Sequence, residues 1–588
     1  MCGIFGHYSF FGYTFDESHI QNMSTQAVHR GPDGTGIYYS PTESLGNNRL
    51  AIIDIEGGTQ PFYSQDKNVI VVQNGEIFNH VELQNELENL GVQFQTSSDT
   101  EVILRLYEHR GIEGLKSLNG MFAISIYDRN KDEMYLFRDR VGEKPLYYHI
   151  SEGQFIYASE IKSILSVLDK NEVSVDSKSM DMYFAFNYIP QPYTIFEDIY
   201  HVKPGHFITI SRSGFQESEW WSIENKQESK LSESDNIEEF NRIFEDAVKI
   251  RLRADVDFGA FLSGGIDSSS VVGVMSKLLS SPVRTYNIGF DDKRFDESQY
   301  ALSVSNRFNT KHISEIVEPN MLSSWPRALF HCDQPHGDIS FLPTLRVAEL
   351  ASRDVKMVLT GDGADELFAG YDKYINYFDS EINTSFSNYY KQLELFSYQS
   401  RKKLFSDKVN SQLDGKDILK DIVSALSQEC SELDDINKAL YIDTKLLLSG
   451  NNLVKPDRMG MAVSIENRAP FMDYRMVEFA FKVPGKLKLQ NGITKYIYKR
   501  AVEDLLGQEL TYRKKQMFTV PVGEWLKTDA KEYCFDLLLS DKFKNRGFFD
   551  QNYVEELIDK HMTDKANHTR EIRSLMAFEL WCQELLDK

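Results

Sequence analysis

The chain changes rhythm partway along its length. Up to about Gly214, apolar residues alternate or run in short blocks: IFGHYSF, NVIVVQ, MFAISIYD and EMYLFRD read as strands, and DRNKDE joins the last two as a turn. Two segments carry helical signals instead, VELQNELENL stopped by Gly91 and TEVILRLYEHR stopped by Gly111. Mostly antiparallel strands with few helices predict stacked sheets covered by helices, an α+β sandwich. QESEWWSIENKQESKLSESDN then turns polar, charged and Ser-rich, which predicts a linker over 214–235. Beyond it, strands (VDFGAFL, VRTYNIGF, HISEIV, VKMVLT) alternate with helices (SSSVVGVMSKLL, ESQYALSVSNRF). That alternation predicts an α/β parallel sheet wrapped by helices, with its site at the carboxyl ends of the strands. The rest reads as helical, so the expected domains are 2–213 and 236–588.

Composition narrows the class. A chain of 588 residues is too long for one core, which supports two domains. With 65 basic against 88 acidic residues the net charge is -23, which argues against a nucleic-acid or anionic-membrane surface. The five cysteines are scattered with no CxxC, so neither a disulfide framework nor a zinc ribbon is indicated. No basic leader and no apolar run of spanning length occurs, and a soluble, cytoplasmic protein is expected.

Cys2 becomes the first residue once the initiator methionine is removed. It then carries a thiol beside an α-amine, whose reference pKa of about 7.7–8.0 lets it act as base for that thiol. An incidental packed cysteine is the plain alternative. HRGPD (29–33), NNRLAIID (47–54), QNGEIFNH (73–80) and SSDTE (97–101) place polar clusters at strand ends. In QNGE, the Asn74 amide and the Gly75 N–H can form an oxyanion hole, although a hairpin turn is the commoner use of Asn-Gly.

In the second half, FLSGGIDSSS (261–270) follows a strand and opens a helix, a loop suited to cradling phosphate. VLTGDGADELFAGY (358–371) supplies Asp362, Asp365 and Glu366, and acids facing phosphates require a divalent metal between them. No GxxxxGK[ST] is present, which sets ordinary P-loop chemistry aside.

Taken together, Cys2, HRGPD, RLAIID, NGEIFNH and SSDTE resemble the class II glutamine amidotransferase domain, an Ntn-type fold with an N-terminal cysteine nucleophile. The resemblance implies a glutamine pocket of Arg49, Leu50, Ile52, Ile53, Asn74, Gly75, Glu76 and Asp99, with Arg49 on the α-carboxylate and Asp99 on the α-amine. A surface ion pair for Arg49 and a helix N-cap for Asp99 are the bland alternatives. SGGIDSS and GDGADELFAGY resemble the ATP-pyrophosphatase-like synthetase domain of glutamine-hydrolysing asparagine synthetases and of β-lactam synthetase, as do RMGMAVSIENRAPFMD (458–473), KYIYKRAVEDLL (495–506) and RKKQMFTVPVGEWL (513–526).

That second resemblance implies ATP contacts at Leu262, Ser263, Gly264, Gly265, Asp267, Ser268, Ile288, Thr360 and Gly361. It also implies Mg2+ on Asp267 and Asp365, Lys495 against the phosphates and Asp362 as general base. The expected reaction takes aspartate, glutamine and ATP to asparagine, glutamate, AMP and pyrophosphate through an acyl-adenylate. Two departures bear on this. Asp362 stands where some members have Glu, and Gln334 in CDQPHGDISFLPT (332–344) stands where a glutamate is frequent, which opens the acceptor to another carboxylate such as a sugar uronic acid. His331, Cys332 and His336 also raise a metal site, but no fourth ligand lies at useful spacing. A catalytically silent binding protein on the same fold would show gaps among Cys2, Asn74, Asp267, Asp365 and Lys495, and all five are present. The expected partners are small molecules, with a homodimer as the association left open.

Overall fold

A strand buried on both faces has no reason to alternate, and VIVV at 69–72 shows the consequence. Ile70 and Val72 point into one apolar cluster with Ile4, Leu45 and Leu136, while Val69 and Val71 point into another with Leu104 and Ile124. The computed structural model describes residues 2–588 apart from 13, 152, 224–228, 293, 295, 318, 379–385, 515–521 and 529.

The first half stacks two six-stranded antiparallel sheets. One runs in the order 199–201, 147–151, 154–158, 2–9, 43–49, 34–39; the other runs 214–219, 206–211, 133–138, 120–128, 69–77, 62–63. Helices His80–Asn89 and Asp99–Gly114 cover the outer face of the second sheet. Gly111 has φ 62° and interrupts the latter, as its sequence predicts.

The expected linker is corrected at both ends. Gly214–Glu219 pairs with His206–Ser211 as the edge strand of the second sheet. Its polar composition is that of a solvent-facing edge and not of a connector. At the other end Ser232 caps helix Glu233–Arg251, its hydroxyl accepting from Asp235 N–H at 3.2 Å while Asp235 accepts in return from Ser232 N–H. The centre of the stretch, 224–228, lies outside the described residues.

The second half holds a five-stranded parallel sheet ordered 311–317, 284–290, 258–261, 357–359, 466–468. Helices follow to the C-terminus, where helix Thr569–Trp581 packs its Phe578 and Trp581 into the same cluster as Phe5, Ile20 and Ile156 of the first half. The two halves therefore share apolar cores. They also share buried ions. Arg458 lies 3.1 Å from both Glu160 and Asp333 and donates to Tyr147 OH at 2.8 Å. Arg30 forks onto Asp457 at 2.9 and 3.1 Å, and Lys162 reaches Asp333 at 2.8 Å. Removing one member leaves its partners charged in low dielectric. Arg458→Met is expected to cost about 3–5 kcal/mol, read as a lower thermal unfolding midpoint than the parent at one scan rate.

Candidate active site

Cys2 opens the strand Cys2–Ser9 opposite Arg49 and lies 5% exposed. Its backbone N–H donates to Asn74 Oδ1 at 3.1 Å, and its carbonyl accepts from Arg30 Nε at 3.0 Å. The other end of the Asn74 amide donates to Ser159 Oγ at 3.3 Å, and Ser159 Oγ also accepts from Ile4 N–H at 3.0 Å. The Asn74 side chain thus bridges the inner faces of the two sheets. Burial pushes the Cys2 thiol up from its ordinary value, while hydrogen bonds from the Asn47 side chain and the Leu50 backbone pull it back. Gly75 has φ 135°, and a Cβ there would fall 1.9 Å from Met121 O, so no other residue fits this backbone.

Asp99 lies beside this strand. Its Oδ2 accepts from Gln73 Nε2 at 2.8 Å and from Ile77 N–H at 2.9 Å. The helix cap is Ser98, whose hydroxyl accepts from Thr100 N–H, so the N-cap alternative for Asp99 falls away. Among the described residues Arg49 has no ion-pair partner; its guanidinium donates to the carbonyls of Ile53, Asp54 and Ile55 at 3.1, 2.6 and 2.9 Å and ties down the loop after its own strand. Leu50 and Ile52 are buried in one apolar cluster with Phe78, Met121 and Leu262 of the second half, and Ile53 packs against it. Glu76 is buried, and its carboxyl is pushed well above the usual range by burial and by the charges of Glu466 and Asp99. Arg468 approaches it to 3.7 Å across the junction.

The second centre forms where strands 258–261 and 357–359 end side by side. Gly264 has φ 75°, with an added Cβ only 2.5 Å from Ala301 N, and Gly361 would place one 2.7 Å from Asp267 Cβ. Gly361 thus lets its loop close on Asp267, and Gly264 lets the first loop lie against helix Ser298–Phe308. Ser263 Oγ accepts from Gly265 N–H and Ser268 Oγ accepts from Ser263 N–H, both at 3.2 Å, folding the loop over the start of helix Ile266–Leu278. Leu262, Ile288 and Thr360 are buried at the adjoining strand ends, with Leu262 N–H donating to Tyr286 O and Thr360 N–H to Arg468 O, each at 2.9 Å.

Lys495 lies 2.7 Å from both Asp267 oxygens and 2.7 Å from Asp365 Oδ1. Burial works against its ammonium, but the two carboxylates outweigh burial and hold it above the ordinary lysine range. Burial pushes the Asp362 carboxyl up, and Lys455 and Thr360 offset this. Asp267 and Asp365 offer hard oxygen donors on neighbouring loops, a set that fits Mg2+ shared with substrate phosphates. Among the described residues no group of three or more His, Cys, Asp and Glu side chains is placed to hold a metal ion.

Two departures from sequence expectation find physical settings. Gln334 Oε1 accepts from Ile195 N–H at 3.3 Å, so this side chain faces the first half. His336 Nδ1 accepts from Asp338 N–H at 3.4 Å, and His331 packs edge-on against His29 with ring centroids 4.6 Å apart. Of the segment 513–526, residues 515–521 lie outside the described residues, but Arg513 Nε donates to Gly264 O at 3.0 Å. Sequence reasoning missed Asp457, Glu466, Arg468 and Lys455 as neighbours of either centre. Their one signal was position, within or just before RMGMAVSIENRAPFMD.

Fold and geometry together define a class, an Ntn-type amidotransferase half fused to a parallel-sheet synthetase half. Comparison with known proteins agrees. Residues 1–221 match the glutamine amidotransferase domain and residues 239–583 match asparagine synthase. Asparagine synthetase (glutamine-hydrolyzing) 1 of Bacillus subtilis is 32% identical over 99% of this chain and 96% of its own. A putative asparagine synthetase (glutamine-hydrolyzing) of Mycobacterium bovis is 29% identical over 96% and 93%, and the amidase chyE of Penicillium rubens is 29% identical over 91% and 89%. The chain belongs to the glutamine-hydrolysing asparagine synthetase family.

Asn74 is the side chain that ties Cys2 to the facing sheet. Asn74→Ala is expected to lower glutamate release from glutamine by roughly 10²–10³-fold, measured as steady-state turnover with glutamine alone.

Proposed function

We propose that this protein is a cytoplasmic asparagine synthetase that hydrolyses glutamine at Cys2 and uses the ammonia to amidate aspartate at the second centre. One observation carries the reading: a single chain holds an N-terminal cysteine against Asn74 in one half and a lysine clamped between two loop carboxylates in the other. The amidotransferase half runs through Glu219 and the synthetase half begins with helix Glu233–Arg251.

In the first half, the Cys2 thiol passes its proton to the α-amine freed by methionine removal, and its sulfur attacks the carboxamide carbon of glutamine. Asn74 Nδ2 and Gly75 N–H stabilise the oxyanion. The α-amine returns the proton to the leaving ammonia, and water then cleaves the thioester to glutamate. Arg49 and Asp99 hold the α-carboxylate and α-amine of the substrate.

In the second half, the acceptor carboxylate attacks the α-phosphorus of ATP and pyrophosphate leaves. Ammonia adds to the acyl-adenylate, Asp362 takes up a proton as the general base of this reading, and AMP departs. Lys495 offsets the charge that develops on the phosphates. Mg2+, held by Asp267 and Asp365, would neutralise the pyrophosphate oxygens. Among the described residues no helix is long and apolar enough to cross a membrane.

Two measurements test this. Cys2→Ala is expected to abolish glutamine-dependent synthesis while ammonium-dependent synthesis survives; equal loss of both would refute two separate centres. AMP and pyrophosphate release with ATP, Mg2+ and ammonium is expected with aspartate. Silence with aspartate and turnover with a sugar uronic acid would keep the chemistry and replace the acceptor.

A further inference from the structure

The orientation of Arg49 is set by the loop that follows it. Its guanidinium hydrogen bonds go to the carbonyls of Ile53, Asp54 and Ile55, so a shift of this loop turns the charge with it. The loop bends at Asp54, whose φ of 48° lies in the left-handed region. The Asp54 carboxylate accepts from Gly57 N–H at 2.8 Å and from Ser97 N–H at 2.9 Å, and Ser97 leads directly into Ser98 and Asp99. One loop therefore joins the two residues read as holding the α-carboxylate and the α-amine of glutamine.

That loop is held in turn from the second half. Asp255 Oδ2 accepts from Asp54 N–H at 2.8 Å, and Asp255 N–H donates to Ile52 O at 2.9 Å, so the two bonds bracket the start of the bend. Lys356 Nζ lies 2.7 Å from Asp33 Oδ2, an oxygen that also accepts from Ala51 N–H at 2.8 Å. Asp33 N–H donates to the carbonyl of Arg49 itself at 2.9 Å. Asp255 stands just before strand Phe258–Phe261 and Lys356 immediately before Met357–Leu359, two strands paired side by side. Their carboxyl ends carry the loops of the second centre. Their amino ends grip the loop that orients Arg49.

We propose that Asp255 and Lys356 are positioning residues of the glutamine site: from the synthetase half they fix residues 51–54, and through them the guanidinium of Arg49. This rests on the reading of Arg49 given above, and it adds that glutamine affinity in the first half is set partly by side chains of the second. Asp255 is exposed and Lys356 half-buried, so neither holds much of the fold together. Their effect falls on the shape of one loop. A misaligned guanidinium weakens its grip on a carboxylate that does not react, and such binding is shared by ground and transition states. KM then rises while kcat stands.

The test uses the full-length enzyme. Glutamate release from glutamine alone is measured beside AMP release with ammonium, ATP, Mg2+ and the acceptor that the parent amidates. Asp255→Ala is expected to raise the KM for glutamine roughly tenfold, with kcat within about twofold of the parent. Asp255→Asn keeps an acceptor oxygen for Asp54 N–H and brings the KM back to within about threefold of the parent. Lys356→Met keeps the stem, drops the charge and raises the same KM about threefold. In all three variants ammonium-dependent synthesis stays within about twofold of the parent and the unfolding midpoint within about 3 °C. An unchanged KM for glutamine in Asp255→Ala, or an equal rise in Asp255→Asn, would overturn the positioning role. So would a joint fall in both reactions and in the unfolding midpoint, the mark of a merely loosened junction. A parent that releases no glutamate from glutamine would overturn the glutamine reading, and the positioning role with it.

Discussion

The junction of the two halves is built on charges that have no access to water. Arg30, Glu160, Lys162, Asp333, Asp457 and Arg458 are all buried. In low dielectric each must keep an opposite charge within a few ångströms, since an isolated ion there is far more costly than a paired one. The pairing is alternate: Arg30 joins Asp457, Arg458 joins Glu160 and Asp333, and Lys162 joins Asp333 and Glu160. No member can shift without stranding a neighbour, so the two halves are held in one relative position.

Both centres hang from that network. Arg30, while forked onto Asp457, donates through Nε to the carbonyl of Cys2, so the residue bearing the thiol is fixed by a carboxylate 455 positions away in sequence. Asp457 stands two residues from Lys455 on the same helix, and Asp333 begins the loop that carries Asp338 and Ser340. The ion network thus lies a short covalent path from Lys455, the cation that most offsets the burial of Asp362. Glu76 and Arg468 add a second link, from the strand bearing Asn74 to the last strand of the parallel sheet. Each half lends the other part of its rigidity, which suits chemistry that needs two sites at one fixed spacing.

How much of this was legible in the sequence depended on how local its cause was. VIVV announced a strand because burial on both faces leaves no polar positions, and MFAISIYD and VRTYNIGF did so because polar residues are few among their apolar ones. SGGIDSS announced its loop because Gly264 tolerates no Cβ, whereas the Asn-Gly of NGE sits inside strand 69–77 and not in a hairpin turn. The stretch 214–219 misled because an edge strand facing water carries the composition of a linker. Arg49 illustrates a finer limit: its type suggests a carboxylate clamp, yet its present partners are three carbonyls of the next turn. The junction ions were invisible for a different reason. Each reads as an ordinary surface charge until the chain has folded, and Arg30 meets a partner 427 residues away.

The same junction bears on what passes between the centres. In the proposed reaction the first half releases neutral ammonia, and an ammonium ion is no nucleophile. A charged route would protonate it or hold it. Leu50, Ile52, Phe78, Met121 and Val141 from the first half and Leu262, Ala364 and Met472 from the second belong to one apolar cluster. Ammonia loses little on entering such surroundings compared with ammonium, whose desolvation is prohibitive without a counter-ion. The six ions named above are satisfied by one another, so they fasten the halves while the apolar cluster fills space between them. Fixing the spacing with closed ion pairs and filling the space between with hydrocarbon meets both demands, and a junction built of solvated charges would meet neither.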